Sequence, residues 1–532
     1  MTGRTPRPWS GTPCVPTFSA LLLFVTVANL TPGARSACQQ AAPVWIPVGN
    51  CSITSASQAT INSWGILFSL HNSTTASSTP GSQSVCVTPS TVTNATLLTV
   101  PGLLCNDTAL STQNMTRGQC YSRRGSALAV DGAGNPVGLP TVSTAGLGSS
   151  NPGWIVIMGG TEAVAFPAAV NASLALHDGR SVAMVDGLIE SGINHTASHL
   201  GLADSSTLSA ALIAAGVTGP TRSWGFDAGS LSYARPRSGA LTLGGRDVGA
   251  VAGSPVAYSM SAYNKVVNNQ RVCPLQVTIS SMWLVPSNST AGANDSFQLV
   301  DSALPLEACL EMYDVYTRLP VTVLNNLKNY VDTMTGRTGG PVSYKPVQHP
   351  EAEKDPLLRQ LLSLYINEPG LIYPANSTAR FDASLVVTLE GGQTVIIPSN
   401  ELFNPVRGLA ADGSRAVELS FNELAVYQSE APANAAVLGR SFLSQVYLFV
   451  DYDRGEFSLA PSARAASDAA PVSLVATDPV AGTGSGAGGD GCVAGGPAAD
   501  TSPLKYGVNT STHLGENWNV GIIMYPRNID ET

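Results

Sequence analysis

The 532-residue sequence predicts a mainly β protein, and three observations carry that prediction. Short runs rich in β-branched and aromatic residues recur from Ala42 to Ser462, broken by Gly, Pro, Asn and Ser. Helical spacing is confined to a few segments. Charged residues make up only 12 % against 44 % apolar, so the chain has the material for a large core and is not a disordered polymer. Its length is too great for one small module and suits two large domains with a tail.

The β runs are read at Trp154–Met158, Leu241–Leu243, Gln276–Ile279 and Ser384–Leu389, each bounded by turn residues. Helices are expected at Ser206–Ala215, at Val321–Met334 with Val323, Leu324, Leu327 and Val331 on one stripe, and at Pro356–Tyr365. After Pro461 the composition shifts to Ala, Gly, Ser and Asp, culminating in the Gly-rich stretch Ala481–Gly489. Residues 463–532 therefore read as a flexible, disordered tail.

The N-terminus predicts the compartment. Arg4 and Arg7 precede an apolar run, Phe18–Leu30, and Ala34 to Ser36 offers the small-x-small pattern of signal-peptidase sites. Residues 1–36 are expected to be a signal peptide, with secretion to the extracellular space or cell wall. The apolar run is shorter than the roughly 20 residues that span a bilayer, and no later segment is expected to span one. Eleven Asn-x-Ser/Thr sequons follow, at Asn50, Asn72, Asn94, Asn106, Asn114, Asn171, Asn194, Asn288, Asn294, Asn376 and Asn509, and together they suit a glycoprotein.

Of nine cysteines, Cys14 lies in the leader, and the remaining eight fit disulfides rather than a metal site, because no CxxC pair exists. Sequence proximity suggests Cys105 with Cys120 and Cys273 with Cys309. Cys38 could join Cys51, while Cys86 and Cys492 are unassigned. Acidic residues exceed basic ones by nine with no basic cluster, which argues against nucleic acid as a partner. The six histidines show no metal-ligand spacing; His195 and His199 are four apart, but Asn194 and Thr196 make a sequon around His195. No Gly-x-Ser-x-Gly elbow supports serine hydrolysis, and no metal or cofactor is expected.

Three segments, in order, resemble the pepsin-like aspartic protease family, closest to its divergent secreted or cell-surface fungal members. They are Ser198–Leu202 (SHLGL), Ser238–Asp247 (SGALTLGGRD), and Ala436–Leu443 (AVLGRSFL) followed by Tyr447–Asp451 and Phe457–Ala460. The resemblance implies two similar β lobes flanking a central cleft, over residues 37–250 and 251–462, in a monomer. It also implies one catalytic Asp from each lobe, in an Asp-Thr/Ser-Gly loop. Two neighbouring carboxylates share a proton, one serving as base toward water and the other as acid toward the peptide carbonyl.

No Asp-Thr-Gly or Asp-Ser-Gly occurs anywhere in the chain. By position, the first loop follows Gly81–Thr88 and puts Ser90 where Asp is expected, with Val92 for the loop Gly and the Asn94 sequon beside it. The second loop lies in Glu307–Pro320, where Glu311 takes the Asp position, Met312 and Tyr313 replace the small pair, and Arg440 replaces the Asp after the apolar-Gly element. Tyr121 is the nearest flap candidate, without a distinguishing context. The expected function is a secreted, glycosylated pseudoprotease binding a peptide, a protein or a wall polymer. Two alternatives stand beside it: an active endopeptidase using Glu311 with another carboxylate such as Asp314, and a β-rich adhesive or structural glycoprotein.

Overall fold

The computed structural model describes residues 42–54, 60–72, 82–91, 94, 96–100, 126, 128–129, 142–143, 154–158, 162–166, 170–175, 181–184, 187–191, 198–260, 273–286, 296–301, 303, 305–334, 371–374, 382–409, 415–429, 435–466 and 472–477. All of them fall in one compact unit that begins at Gln40. The fold is mainly β, as the run lengths predict.

The first half of the chain contributes β1 (Val44–Thr54), β2 (Thr60–Asn72), β3 (Ser82–Ser90), β4 (Leu97–Val100), β5 (Gly187–Ser191), β6 (Ser198–Gly201), helix α1 (Thr207–Ala214), β7 (Ser223–Asp227), β8 (Gly239–Leu243) and β9 (Gly245–Asp247). The second half contributes β10 (Val256–Ser259), β11 (Gln276–Pro286), β12 (Leu306–Leu310), β13 (Thr317–Leu319), α2 (Val321–Met334), α3 (Ser399–Leu402), β14 (Val426–Gln428), β15 (Ala435–Leu438), α4 (Arg440–Leu443), β16 (Val446–Asp451) and β17 (Glu456–Pro461). Helix α5 (Ala463–Ala466) and β18 (Leu474–Ala476) close the described chain. The expected helix at Pro356–Tyr365 lies outside the described residues.

The strand order is duplicated. In the first half five strands lie in the order β2-β3-β6-β4-β5, with pairings that alternate antiparallel, parallel, antiparallel, parallel. In the second half β11-β12-β15-β13-β14 repeat the same order with the same alternation. In both, a strand arriving some hundred residues later is inserted between two consecutive strands joined by a short loop. The remaining strands meet in one antiparallel layer, β10-β17-β16-β7-β8-β1, which reads as three strands of one half followed by their three counterparts from the other.

The seam of this layer is the ladder between β7 and β16, where Gly225 stands opposite Phe449. Every residue of β7 is buried, from apolar Trp224 and Phe226 to the polar ends Ser223 and Asp227, so both faces of the strand are covered. Gly225 is required there, since a Cβ at 225 would sit 1.9 Å from the Tyr447 hydroxyl. That hydroxyl accepts a hydrogen bond from the Asp247 amide at 2.7 Å, and burial pushes the phenol well above its usual range, against the bond from that amide, so it stays protonated.

Two corrections concern what sequence spacing suggested. Cys51 joins Cys86, not Cys38: β1 and β3 are both partners of β2, which brings the two Cα atoms within 6.0 Å although 35 residues separate them. Cys273 joins Cys309, so each half fastens the strand that leads into its loop, β3 or β12. Loops of this size place each disulfide at about 3–4 kcal/mol on the chain-entropy account. Second, the tail does not begin at 463. Residues 463–466 are helical, and Leu474–Ala476 pair antiparallel with Gly245–Asp247, because Arg464 and the 473–477 backbone find partners on the first half.

Tyr447→Phe leaves the buried Asp247 amide without its acceptor and is expected to lower stability by about 1–3 kcal/mol. Gly225→Ala, which forces the two seam strands apart, is expected to cost more. Urea unfolding midpoints of the two variants check this order.

Candidate functional site

The loops that join β3 to β4 and β12 to β13 are related residue by residue through the inserted strands. In the first half Ser90 pairs with Gly201, and His199, two residues earlier, pairs with both Thr88 and Leu97. In the second half Leu310 pairs with Leu438, and Val437 pairs with both Cys309 and Arg318. Glu311 thus stands level with Gly439 as Ser90 stands level with Gly201. From Ser90 to Leu97 and from Glu311 to Arg318 the chain advances by the same number of residues. The register makes Ser90 and Glu311 counterparts without any appeal to sequence motif.

Gly439 is obligatory at this position. A Cβ there would lie 2.2 Å from the Tyr316 carbonyl oxygen and 2.6 Å from that of Asp314, so the inserted strand passes against the loop backbone. The helices that follow the inserted strands hold each loop from behind. Ser206 caps α1, accepting from the Ser209 amide at 3.2 Å while donating to the Gly201 carbonyl at 2.6 Å; the Thr207 amide donates to the Asn94 carbonyl at 3.1 Å. In α4 the Arg440 amide donates to the Asp314 carbonyl at 2.8 Å.

The loop side chains are not those of an acid pair. Ser90 is fully buried and Glu311 is 1 % exposed. Glu311 accepts the Tyr313 amide at 3.1 Å. Met312 is completely buried where the family pattern has a small hydroxyl residue. Thr91, its counterpart in the first loop, is buried, and its hydroxyl makes no hydrogen bond among the described residues. Tyr313 crosses to the first half and lies on His199, ring centroids 3.7 Å apart at 40°. The second loop is therefore joined to the inserted strand β6 of the first half by a partly buried aromatic contact.

Asp314 is committed elsewhere. It accepts the Tyr316 amide at 3.1 Å and pairs with Arg318, whose guanidinium also lies over the Tyr427 ring. Behind the second loop Arg440 donates from Nε to the Met312 carbonyl at 3.2 Å. Its side chain lines a cavity of about 20 Å³, room for a single water, together with Glu401, Glu423 and Asn404. Glu423 accepts the Tyr316 hydroxyl at 2.9 Å, and Glu401 accepts the Ser230 hydroxyl. Arg440 thus has two buried carboxylates beside it. Neither glutamate carries a local sequence signal, since each is brought in by a distant strand or helix.

Of the expected glycosylation sites, Asn50 on β1 and Asn94 in the first loop are exposed, Asn72 ends β2, and Asn171 lies in the strand Val170–Ala175. Asn106, Asn114, Asn194, Asn288, Asn294, Asn376 and Asn509 lie outside the described residues, as do Cys105, Cys120, Cys38, Cys492 and Tyr121. Among the described residues no group of three or more His, Cys, Asp and Glu side chains is placed to hold a metal, and no helix is long and apolar enough to cross a membrane.

No protein-family model matches the chain, and no curated protein matches it.

If the ring contact joins the second loop to β6, His199→Ala and Tyr313→Ala should be coupled. A double-mutant cycle in chemical denaturation is expected to give about 0.5–1.5 kcal/mol of interaction energy. Strict additivity would show that the rings are only neighbours.

Proposed function

We propose that the chain is a secreted, N-glycosylated protein built on the pepsin-like aspartic protease fold that has lost the hydrolytic reaction and retains a binding role. Its ligand would be a peptide, a protein segment or a wall polymer held between two lobes. The observation that carries this reading is the register that makes Ser90 and Glu311 counterparts in a duplicated strand order. The family's architecture calls for an Asp at each of these places, at the tip of a strand flanked by an inserted apolar-Gly strand.

The chemistry follows from which groups stand there. Peptide hydrolysis by this route needs two carboxylates close enough to share one proton, since like charges so near cannot both ionise. A serine hydroxyl cannot deprotonate water at acidic pH, and general acid-base assistance is typically worth about 10² to 10⁴-fold. With Ser90 in one loop, Glu311 has no carboxylate counterpart. Asp314, the nearest acid in sequence, is engaged by Arg318 and the Tyr316 amide, which disfavours an alternative pair drawn from the same loop. Burial of both Ser90 and Glu311, with Tyr313 laid across to His199, further argues against an open reaction centre.

The test is hydrolysis of a denatured protein by the purified secreted chain between pH 3 and 6, with and without pepstatin, beside Glu311→Ala. The expected result is no cleavage above blank in any arm. Cleavage that pepstatin and Glu311→Ala both abolish would overturn the reading and make Glu311 part of an unorthodox pair.

A further inference from the structure

The segment after β17 belongs by sequence to the second half but is fastened to the first. Arg464 donates to Asp227 at 3.2 Å and pairs with Asp247 at 2.5 Å; Asp227 ends β7 and Asp247 ends β9. The Ser473 amide donates to Asp247 at 2.7 Å, the Val248 amide donates to the Ser473 carbonyl at 2.8 Å, and β18 pairs with β9. The Ser223 hydroxyl, on the seam strand β7, donates to the Thr477 hydroxyl at 2.8 Å.

The Arg464 contacts gather at the end of the seam where Asp227 lies, and the Ser223–Thr477 bond sits at its other end, where Ser223 pairs with Asp451. Asp227 stands opposite Tyr447 in the β7–β16 ladder, and the Tyr447 hydroxyl takes the Asp247 amide. Arg237 holds Asp227 with two bonds of 2.9 Å and donates to the Ser444 carbonyl of the second half at 3.1 Å. Arg464 is thus one arginine of a buried knot in which both halves take part.

The attachment is polar rather than apolar. Val472, Leu474 and Val475 are 52 %, 36 % and 41 % exposed, so the segment buries little hydrophobic surface. Each carboxylate that Arg464 touches keeps other partners without it: Asp227 has Arg237 and the Gly229 amide, and Asp247 has the Gly249 amide. Detaching the segment leaves Asp227 paired with Arg237, takes Arg464 and the Ser473 amide from Asp247, and gives up little apolar burial, which places it at the low-stability end of the molecule.

We propose that residues 463–466 and 472–477 form a releasable clip that locks the two halves together along the β7–β16 seam, so that losing or displacing the clip loosens the seam while each half stays folded. The inference does not depend on whether the chain cuts peptides.

Hydrogen exchange of the full-length secreted protein, followed by mass spectrometry, tests it. Arg464→Gln and Ser473→Pro should each speed exchange of peptides covering 223–227 and 446–451 by about tenfold or more, while the β2–β3 and β11–β12 ladders within the halves keep their wild-type rates. A second arm adds Arg246→Cys with Val475→Cys to Arg464→Gln. These two residues face each other across β9 and β18 and both are exposed, so a disulfide between the introduced cysteines should restore wild-type seam exchange when oxidised. Seam exchange unchanged in both single variants, acceleration spread evenly over the molecule, or failure of the cross-link to restore the seam would each overturn the clip.

Discussion

The β7–β16 ladder is the interaction on which the rest of the structure depends. Its five residue pairs are where strands of one half bond directly to strands of the other within the central layer. The backbone there must be satisfied by a partner strand, because Trp224, Phe226, Leu448 and Val450 exclude water from it. The close fit of the Tyr447 hydroxyl against Gly225 then fixes register, since a slip by one residue would turn every buried side chain to the opposite face. From this seam each half runs outward through equivalent strands to its own loop. The positions of Ser90 and Glu311 are consequences of the seam as much as of their own surroundings.

The frame that holds the two loops does not depend on the side chains at their tips. What holds the loops is backbone pairing with the inserted strands, the glycine at 439, the caps of the following helices and two disulfides, and none of these needs a carboxylate at the loop tip. The side chains at the tip are accordingly free to become structural. Met312 fills space, Tyr313 reaches to His199, and Arg440 turns inward beside Glu401 and Glu423. A buried arginine at 440 is tolerable only in such company, so Arg440, Glu401 and Glu423 read as a set.

How much of this the sequence disclosed depends on how local each signal was. Helix α2 announced itself through Val323, Leu324, Leu327 and Val331, and β13's neighbourhood through the run ending Leu319-Pro320, because periodicity and breakers act within a few residues. The apolar-Gly elements at Leu200–Gly201 and Leu438–Gly439 were legible only through the resemblance to a family pattern. The placing of Gly201 beside Ser90 came from that resemblance alone, because a pairing of residues 111 apart leaves no trace in composition. Arg464 looked like one charge in an Ala-rich tail; its partners Asp227 and Asp247 lie more than two hundred residues upstream. The Cys51–Cys86 bond failed to emerge because proximity in sequence favoured Cys38, whereas the sheet brings β1 and β3 together through β2.

The claim that both loops hang from one shared seam can be tested at two amides. The Leu202 amide donates to the Ser90 carbonyl at 2.8 Å, and the Glu311 amide donates to the Leu438 carbonyl at 3.2 Å. Native-state hydrogen exchange in increasing denaturant would read the free energy of opening at each, and the account predicts that the two converge on a single value with the amides of the β7–β16 ladder. Separate values that stay apart up to global unfolding, one half opening while the other and the seam remain protected, would contradict it.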